Sequence, residues 1–439
     1  MKFILVLFCA LLAIECVAQE PRIRDSLQNL NSNFHFQLTT VTQHKYKMNA
    51  PYTGDKSLIG PAESATTLTS TIFWGTKLWK GAALYINPEI AGGSGISSAQ
   101  GIAGFTNGEA FRVGNPSPTL YLARGFFQQT FSLGGEEENV GEGANDVYKT
   151  RTKKYIDIVA GKFSIADYFD KNTYSHDPRS QFFNWALMSN GAWDYPANVR
   201  GYTWGLVVEY GTPRYSIRAA TTLVPAEANG NVMDKKYAEA NSNVVELEVP
   251  FTISKQPGNI KLLAYLTHAH MGNYVQAINE NPASPDITTT RTYGRTKYGY
   301  GINLEQALTK DIGLFARAGW NDGHNESWAF TEIDRTASIG LYIDGSIWKR
   351  QNDQCGIGTV INGLSSYHRD YLAAGGYGFI IGDGQLNYGQ EWTTEIFYRA
   401  NLFSDTFYLT PNFQFVTNPA YNKDRGPAAV IGLRAHVEF

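Results

Sequence analysis

Residues 430–439, V-I-G-L-R-A-H-V-E-F, alternate without a break. In an extended chain Ile431, Leu433, Ala435, Val437 and Phe439 fall on one face and Gly432, Arg434, His436 and Glu438 on the other, because successive side chains of a strand point to opposite sides. A strand with lipid on one side and a wet lumen on the other needs this pattern, and substrates of the barrel-assembly machinery end in an aromatic residue. Phe439 is therefore read as the assembly signal, and the fold expected is all-β, a transmembrane antiparallel barrel.

The opposite end agrees. Lys2 precedes the apolar run Phe3 to Ile14 and a small-residue site at Cys16-Val17-Ala18, the form of a secretory signal covering residues 1–18. Residues 19–33 are then an N-terminal periplasmic segment and residues 34–439 the barrel. Glu15 stands where a lipidation motif wants a small residue, which argues against an acyl anchor at Cys16. Removal of the signal leaves Cys355 alone, so stability comes from the sheet rather than an intramolecular disulfide.

Composition narrows the class. With 43% hydrophobic residues, 13% aromatic residues and a mean hydropathy of -0.28, no apolar run of about 18 residues exists beyond the signal, which excludes helical membrane spans. Strands that are apolar only at alternate positions fit the same numbers. The balance of 37 basic against 40 acidic residues gives no basic footprint for nucleic acid.

The clearest hairpin sets Tyr202, Trp204, Leu206, Val208 and Tyr210 on one face, turns at Gly211 to Arg214, and returns with Tyr215, Ile217, Ala219, Thr221 and Leu223. A second places Tyr298, Tyr300, Ile302 and Leu304 outward and Asn303, Glu305, Arg317 and Asn321 inward. The same template predicts strands near 34–47, 66–79, 82–89, 118–131, 154–164, 201–211, 214–223, 243–252, 259–270, 295–308, 311–320, 336–344, 353–362, 386–401, 405–417 and 429–439. These are about sixteen, with eighteen as the alternative count, joined by short periplasmic turns and long extracellular loops that fold inward. Two stretches resist. Residues 132–153 should be a short turn and are long, and Tyr371 to Ile381 alternates well enough to compete for strand thirteen.

Several separated motifs resemble the carbohydrate-selective porin family typified by the glucose porin of pseudomonads. They are Asn87-Pro88-Glu89; Gly101 to Phe105 followed by Asn107-Gly108-Glu109; Tyr121 to Arg124; F-D-K-N-T-Y-S-H-D-P-R from Phe169 to Arg179; Gly191 to Tyr195 leading to Arg200-Gly201-Tyr202-Thr203; Gly375 to Phe379 with Gly382-Asp383-Gly384; and Asn418 to Pro427. The resemblance implies a monomeric barrel of about sixteen strands for passive sugar uptake. The charged stretch Lys149 to Lys154 and the pair His268 and His270 depart from it.

A neutral, hydroxyl-covered sugar needs a constriction with arginines and carboxylates for its hydroxyls and aromatic faces for its ring. Candidates are Glu89, where strand three leaves the membrane, with a structural cap on the next loop as its alternative; Arg112, with a bracing pair to Glu109 as its alternative; and Arg124. Arg124 is placed inward because Tyr121, Ala123, Phe127 and Phe131 are taken as lipid-facing, leaving Leu122, Arg124, Gln128 and Thr130 in the lumen. Trp193, Asp194 and Arg200 lie in the long connection before strand six, where Trp193 either stacks on a sugar or packs the loop. Glu305 and Arg317, and Glu391, Glu395 and Arg399, are expected to line the lumen wall, the last three as a transverse charge ladder.

Catalytic readings find less support. His268 and His270 share a face, but no nearby cysteine or carboxylate completes a metal set, and Gly375 to Gly384 lacks the Lys-Ser/Thr of a phosphate cradle. The sequence thus predicts a non-enzymatic porin without cofactor or metal, with small carbohydrate, outer-membrane lipid and the assembly machinery as partners. The rivals are a channel for anionic polysaccharides or uronates, which would be lined mainly by Arg and Lys, and a non-conducting adhesin barrel.

Overall fold

Alternation along the chain becomes a sheet that closes on itself. The computed structural model describes residues 31–110, 116–140, 143–148, 150–403 and 406–439, so the signal, residues 19–30 and Arg112 lie outside the described residues. The barrel strands are β1 (Ser32–Lys45), β2 (Glu63–Trp79), β3 (Ala82–Gly93), β4 (Thr119–Ser132), β7 (Tyr155–Phe163), β8 (Thr203–Gly211), β9 (Ser216–Leu223), β10 (Asn241–Ile253), β11 (Gln256–Met271), β12 (Thr292–Ala307), β13 (Ile312–Asn321), β14 (Arg335–Asp344), β15 (Gln354–Gly363), β16 (Glu391–Phe403), β17 (Phe407–Thr417) and β18 (Ala428–Glu438). Each pairs antiparallel with the next, and β1 closes the ring against β18 in a register running from Gln37 opposite Glu438 to Lys45 opposite Val430. Phe36 and Phe439 extend that seam with reciprocal backbone bonds of 2.8 and 3.1 Å, and their rings lie 5.2 Å apart.

Sixteen strands form the barrel, each at a position expected from the alternation. Tyr371 to Ile381 is not one of them, because Ser366–Ala373 is a helix capped by the Ser365 side chain. Two further strands, β5 (Glu137–Asn139) and β6 (Thr150–Thr152), form a separate ribbon inside the anomalous connection from β4 to β7.

The outer face carries Ile72, Leu206, Ile217, Leu262, Ile302, Ile339, Ile357, Ile396, Phe413, Ile431 and Leu433, all exposed, with Trp79, Tyr215, Trp392 and Phe403 among the exposed aromatics. An apolar belt of that extent would be untenable in water and is what lipid requires. The interior is filled by loops, and its largest apolar cluster joins inward wall residues such as Tyr85, Phe315 and Phe397 to Phe105, Phe182, Leu187 and Trp193.

One parity assignment is corrected. The β3–β4 register passes from Asn87 opposite Arg124 to Pro88 opposite Leu122, leaving Ala123 as an extra residue. Pro88 has no N–H to give the ladder, so the bulge falls where a bond was already missing. Leu122 and Leu120 therefore face lipid, and Tyr121 turns inward to donate its hydroxyl proton to Glu89. Arg124 lies beyond the bulge and faces the lumen.

Candidate functional site

Residues 164–202 leave β7 and cross the lumen, where wall side chains hold their backbone. Glu395 on β16 accepts from Phe183 N–H at 2.6 Å and Asn184 N–H at 2.8 Å. Arg434 on β18 donates to the carbonyls of Pro178 and Gln181 at 2.7 and 2.9 Å. Arg317 on β13 reaches Asp170 at 3.1 Å and the carbonyls of Ser175 and Leu187 at 2.5 and 3.2 Å. Glu246 on β10 and Glu305 on β12 take the amides of Asp170 and Thr173 at 2.8 and 2.6 Å. Glu391 does the same for two other loops, accepting from Ala103 and Gly104 at 2.8 and 3.1 Å and from Ala420 at 2.8 Å. Loop backbone withdrawn from water must find partners, and a carboxylate offers the strongest acceptor.

The expected charge ladder on β16 therefore faces inward, but its carboxylates lie beneath loop backbone instead of lining open water. Arg399 donates to Glu438 at 2.8 Å and lies over the Tyr408 ring at 3.3 Å.

Between these loops and the wall lies a cavity of ≈ 330 Å³. One side presents Trp185, Tyr195 and Phe330, whose ring planes agree to within 6° at centroid separations of 4.7–5.8 Å. Phe330 is held there at φ 55°, a conformation that costs a bulky residue about 1–3 kcal/mol and persists only where its surroundings impose it. The other side is polar. Arg124 grips Asp167 through two bonds of 2.6 Å, and Arg179 bridges Glu89 at 2.9 Å and Glu109 at 3.1 Å. Arg200 lies over the Tyr121 ring at 4.1 Å.

The electrostatics follow from these pairings. Burial alone would raise the Asp167 carboxyl, yet Arg124 beside it holds it below the usual carboxylate range. Asp177 is held low against burial by the Arg179 amide and the Ser180 hydroxyl. His176 is driven the other way: burial, then nearby Arg317, pushes it down to about 4, so it is neutral at ordinary pH. Three arginines (124, 179, 200) thus face three carboxylates (Glu109, Asp167, Asp177) around the cavity.

Of the residues singled out in the sequence, Arg124 and Arg200 line the cavity. Glu89 stands behind it, 1% exposed, receiving Thr71 at 2.5 Å, Tyr202 at 3.1 Å, Tyr121 and Arg179; it is a hub for protein partners and not an open acceptor. Trp193 is buried against Phe169 and Tyr195 and so packs the loop. Asp194 clamps a neighbouring loop through the amides of Trp328 and Ala329 at 2.7 and 2.6 Å, and burial pushes its carboxyl up to about 6. Arg179, Trp185 and Phe330 escaped sequence reasoning. Arg179 closed a quoted motif, whereas Phe330 belongs to no pattern that alternation reveals.

A closed, lipid-belted barrel whose lumen is narrowed by inward loops around a charged and aromatic cavity defines an outer-membrane pore. The chain belongs to the carbohydrate-selective porin, OprB family, whose profile matches residues 75–439. It resembles Pseudomonas putida OprB in its high-pH structure, with a TM-score of 0.71 at 16% identity over 95% of this chain and 96% of that one. The low-pH structure of the same protein gives 0.53 at 14% identity, covering 95% of each chain. A curated Acinetobacter baylyi relative, "Putative porin QuiX", is 25% identical over 274 residues, 59% of this chain and 57% of that protein's length.

Proposed function

We propose that the barrel passes small neutral sugars by passive diffusion, each barrel acting as its own pore, with the cavity as its selective constriction. The observation that carries this reading is the pairing of three near-parallel rings with a charge-balanced polar rim. The rings meet the apolar face of a pyranose, and Arg124, Arg200 and Asp167 exchange hydrogen bonds with its hydroxyls as hydration is shed. Equal numbers of arginines and carboxylates favour an uncharged solute over a uronate.

Planar-bilayer recording tests this. Glucose should block ion current in the wild-type pore more effectively than glucuronate, and Trp185→Ala or Tyr195→Ala should weaken the block about five-fold, as expected for the loss of roughly 1 kcal/mol of ring stacking. A pore that conducts but is blocked by no neutral sugar would refute the proposal. So would a folded barrel that does not conduct.

A further inference from the structure

The connection from β4 to β7 lies at the end of the barrel that carries the β2–β3 turn and Phe439, the end expected to face the periplasm, yet its return arm does not stay there. Tyr148 sits at the β2–β3 turn, its hydroxyl donating to the carbonyls of Trp79 at 2.6 Å and Ala82 at 3.1 Å. Val147 is buried against the inner wall, its amide donated to the Tyr85 hydroxyl at 3.4 Å. It fills space that Gly75 leaves open, since a Cβ there would stand 2.7 Å from Val147 Cγ1. The Asp146 carbonyl accepts from Asn33 at 3.1 Å, and Asn145 Oδ1 accepts from Asn87 Nδ2 at 2.9 Å. Ala82 to Asn87 is a climb of about 16 Å along a strand, so the arm rises well into the lumen.

It ends at the site. Asn87 is the register partner of Arg124, and Ala144 and Asn145 line the cavity that Trp185, Tyr195 and Phe330 line. The other loop residues around that cavity enter from the extracellular side. Asn145 is part-exposed, its oxygen is engaged by Asn87, and among the described residues nothing accepts from its amide nitrogen. An uncharged pair of donors thus faces the cavity from below, suited to a hydroxyl oxygen.

We infer that Asn145 is a sugar-binding residue on the periplasmic side of the constriction, and that residues 143–148 form a floor past which sugar must leave. This rests on the reading of the cavity as a sugar site. The two floor residues that line the cavity, Ala144 and Asn145, are uncharged, and the floor gives the two mouths of the pore different access to the same site.

The full-length protein in planar bilayers, with glucose added from either side, tests both parts. Asn145→Ala should weaken glucose block about three- to ten-fold, the worth of one or two neutral hydrogen bonds. Tyr148→Ala, which removes the anchor at the turn, should raise sugar-free conductance by half or more and speed glucose entry from the periplasmic side more than from the extracellular side. Folding of each variant is read from heat-modifiable gel migration; if Tyr148→Ala does not fold, Tyr148→Phe, which keeps the ring but cannot bond the turn carbonyls, is read in its place. Unchanged block in Asn145→Ala would overturn the binding role, and unchanged conductance in a folded floor variant would overturn the floor. Absence of glucose block in the wild-type pore would strike the sugar reading instead, while the sugar-free conductance still decides the floor.

Discussion

Tyr121 shows how far one residue reorients a site. Alternation alone sends it to lipid, and only the extra residue Ala123 turns it inward to Glu89. The one legible hint was Pro88, a residue that cannot donate to a ladder and so attracts bulges. Glu89 itself reads from sequence either as an acceptor for sugar hydroxyls or as a structural cap on the next loop, and nothing local announces that Arg179, ninety residues away in the chain, will occupy it. His176 offers a test at this scale. Folded, it stays neutral to about pH 4, whereas the unfolded chain protonates it near its ordinary value of 6.5. Between those values the unfolded state binds more protons, so stability falls as pH is lowered from 6.5 toward 4. His176→Gln should remove that component, narrowing the stability loss between pH 7 and pH 5 by about 2 kcal/mol. Urea denaturation of both proteins at the two pH values measures it; an unaltered difference would mean that His176 is not held neutral.

At the scale of elements, strands were legible and loops were not. Lipid on one side and protein or water on the other imposes a period of two along the barrel strands, broken at bulges such as Ala123 in β4, and β16 shows it plainly, with Trp392 and Ile396 outward and Glu391 and Glu395 inward. What the inward charges do depends on where loops from elsewhere come to rest, and no periodicity encodes that. The crossing loop is fixed by its bonds to the wall, so Glu395→Ala should orphan the buried amides of Phe183 and Asn184 at a cost of about 1–3 kcal/mol each. The loop should then loosen: conductance rises and sugar block weakens, while heat-modifiable migration still reports a closed barrel. Glu395→Gln keeps an acceptor oxygen and should fall between. Wild-type conductance and block in Glu395→Ala would show that the loop is held by other contacts alone.

The whole molecule inverts the usual arrangement, with its apolar belt outside and its polar bonding within. Leu206, 40% exposed on the belt, should tolerate Arg poorly, at about 2–4 kcal/mol near the membrane midplane, whereas Leu133→Arg in the exposed connection from β4 to β7 should be close to neutral. Denaturation of the lipid-reconstituted barrel compares them, and equal stabilities would place Leu206 away from hydrocarbon. The closing seam carries a different consequence. Thr39 and His436, hydrogen-bonded across β1 and β18, are 397 residues apart in the chain. Neighbouring hairpins can form early, since each joins residues close in sequence, but this last pairing has nearly the greatest contact order the chain permits, and such pairings form slowly. Until it forms, the sheet has two raw edges, and each unpaired backbone group on them would cost several kcal/mol in hydrocarbon. Entry into the bilayer and sealing of the first strand to the last are therefore one cooperative step, and a half-inserted sheet is not a resting point on the way.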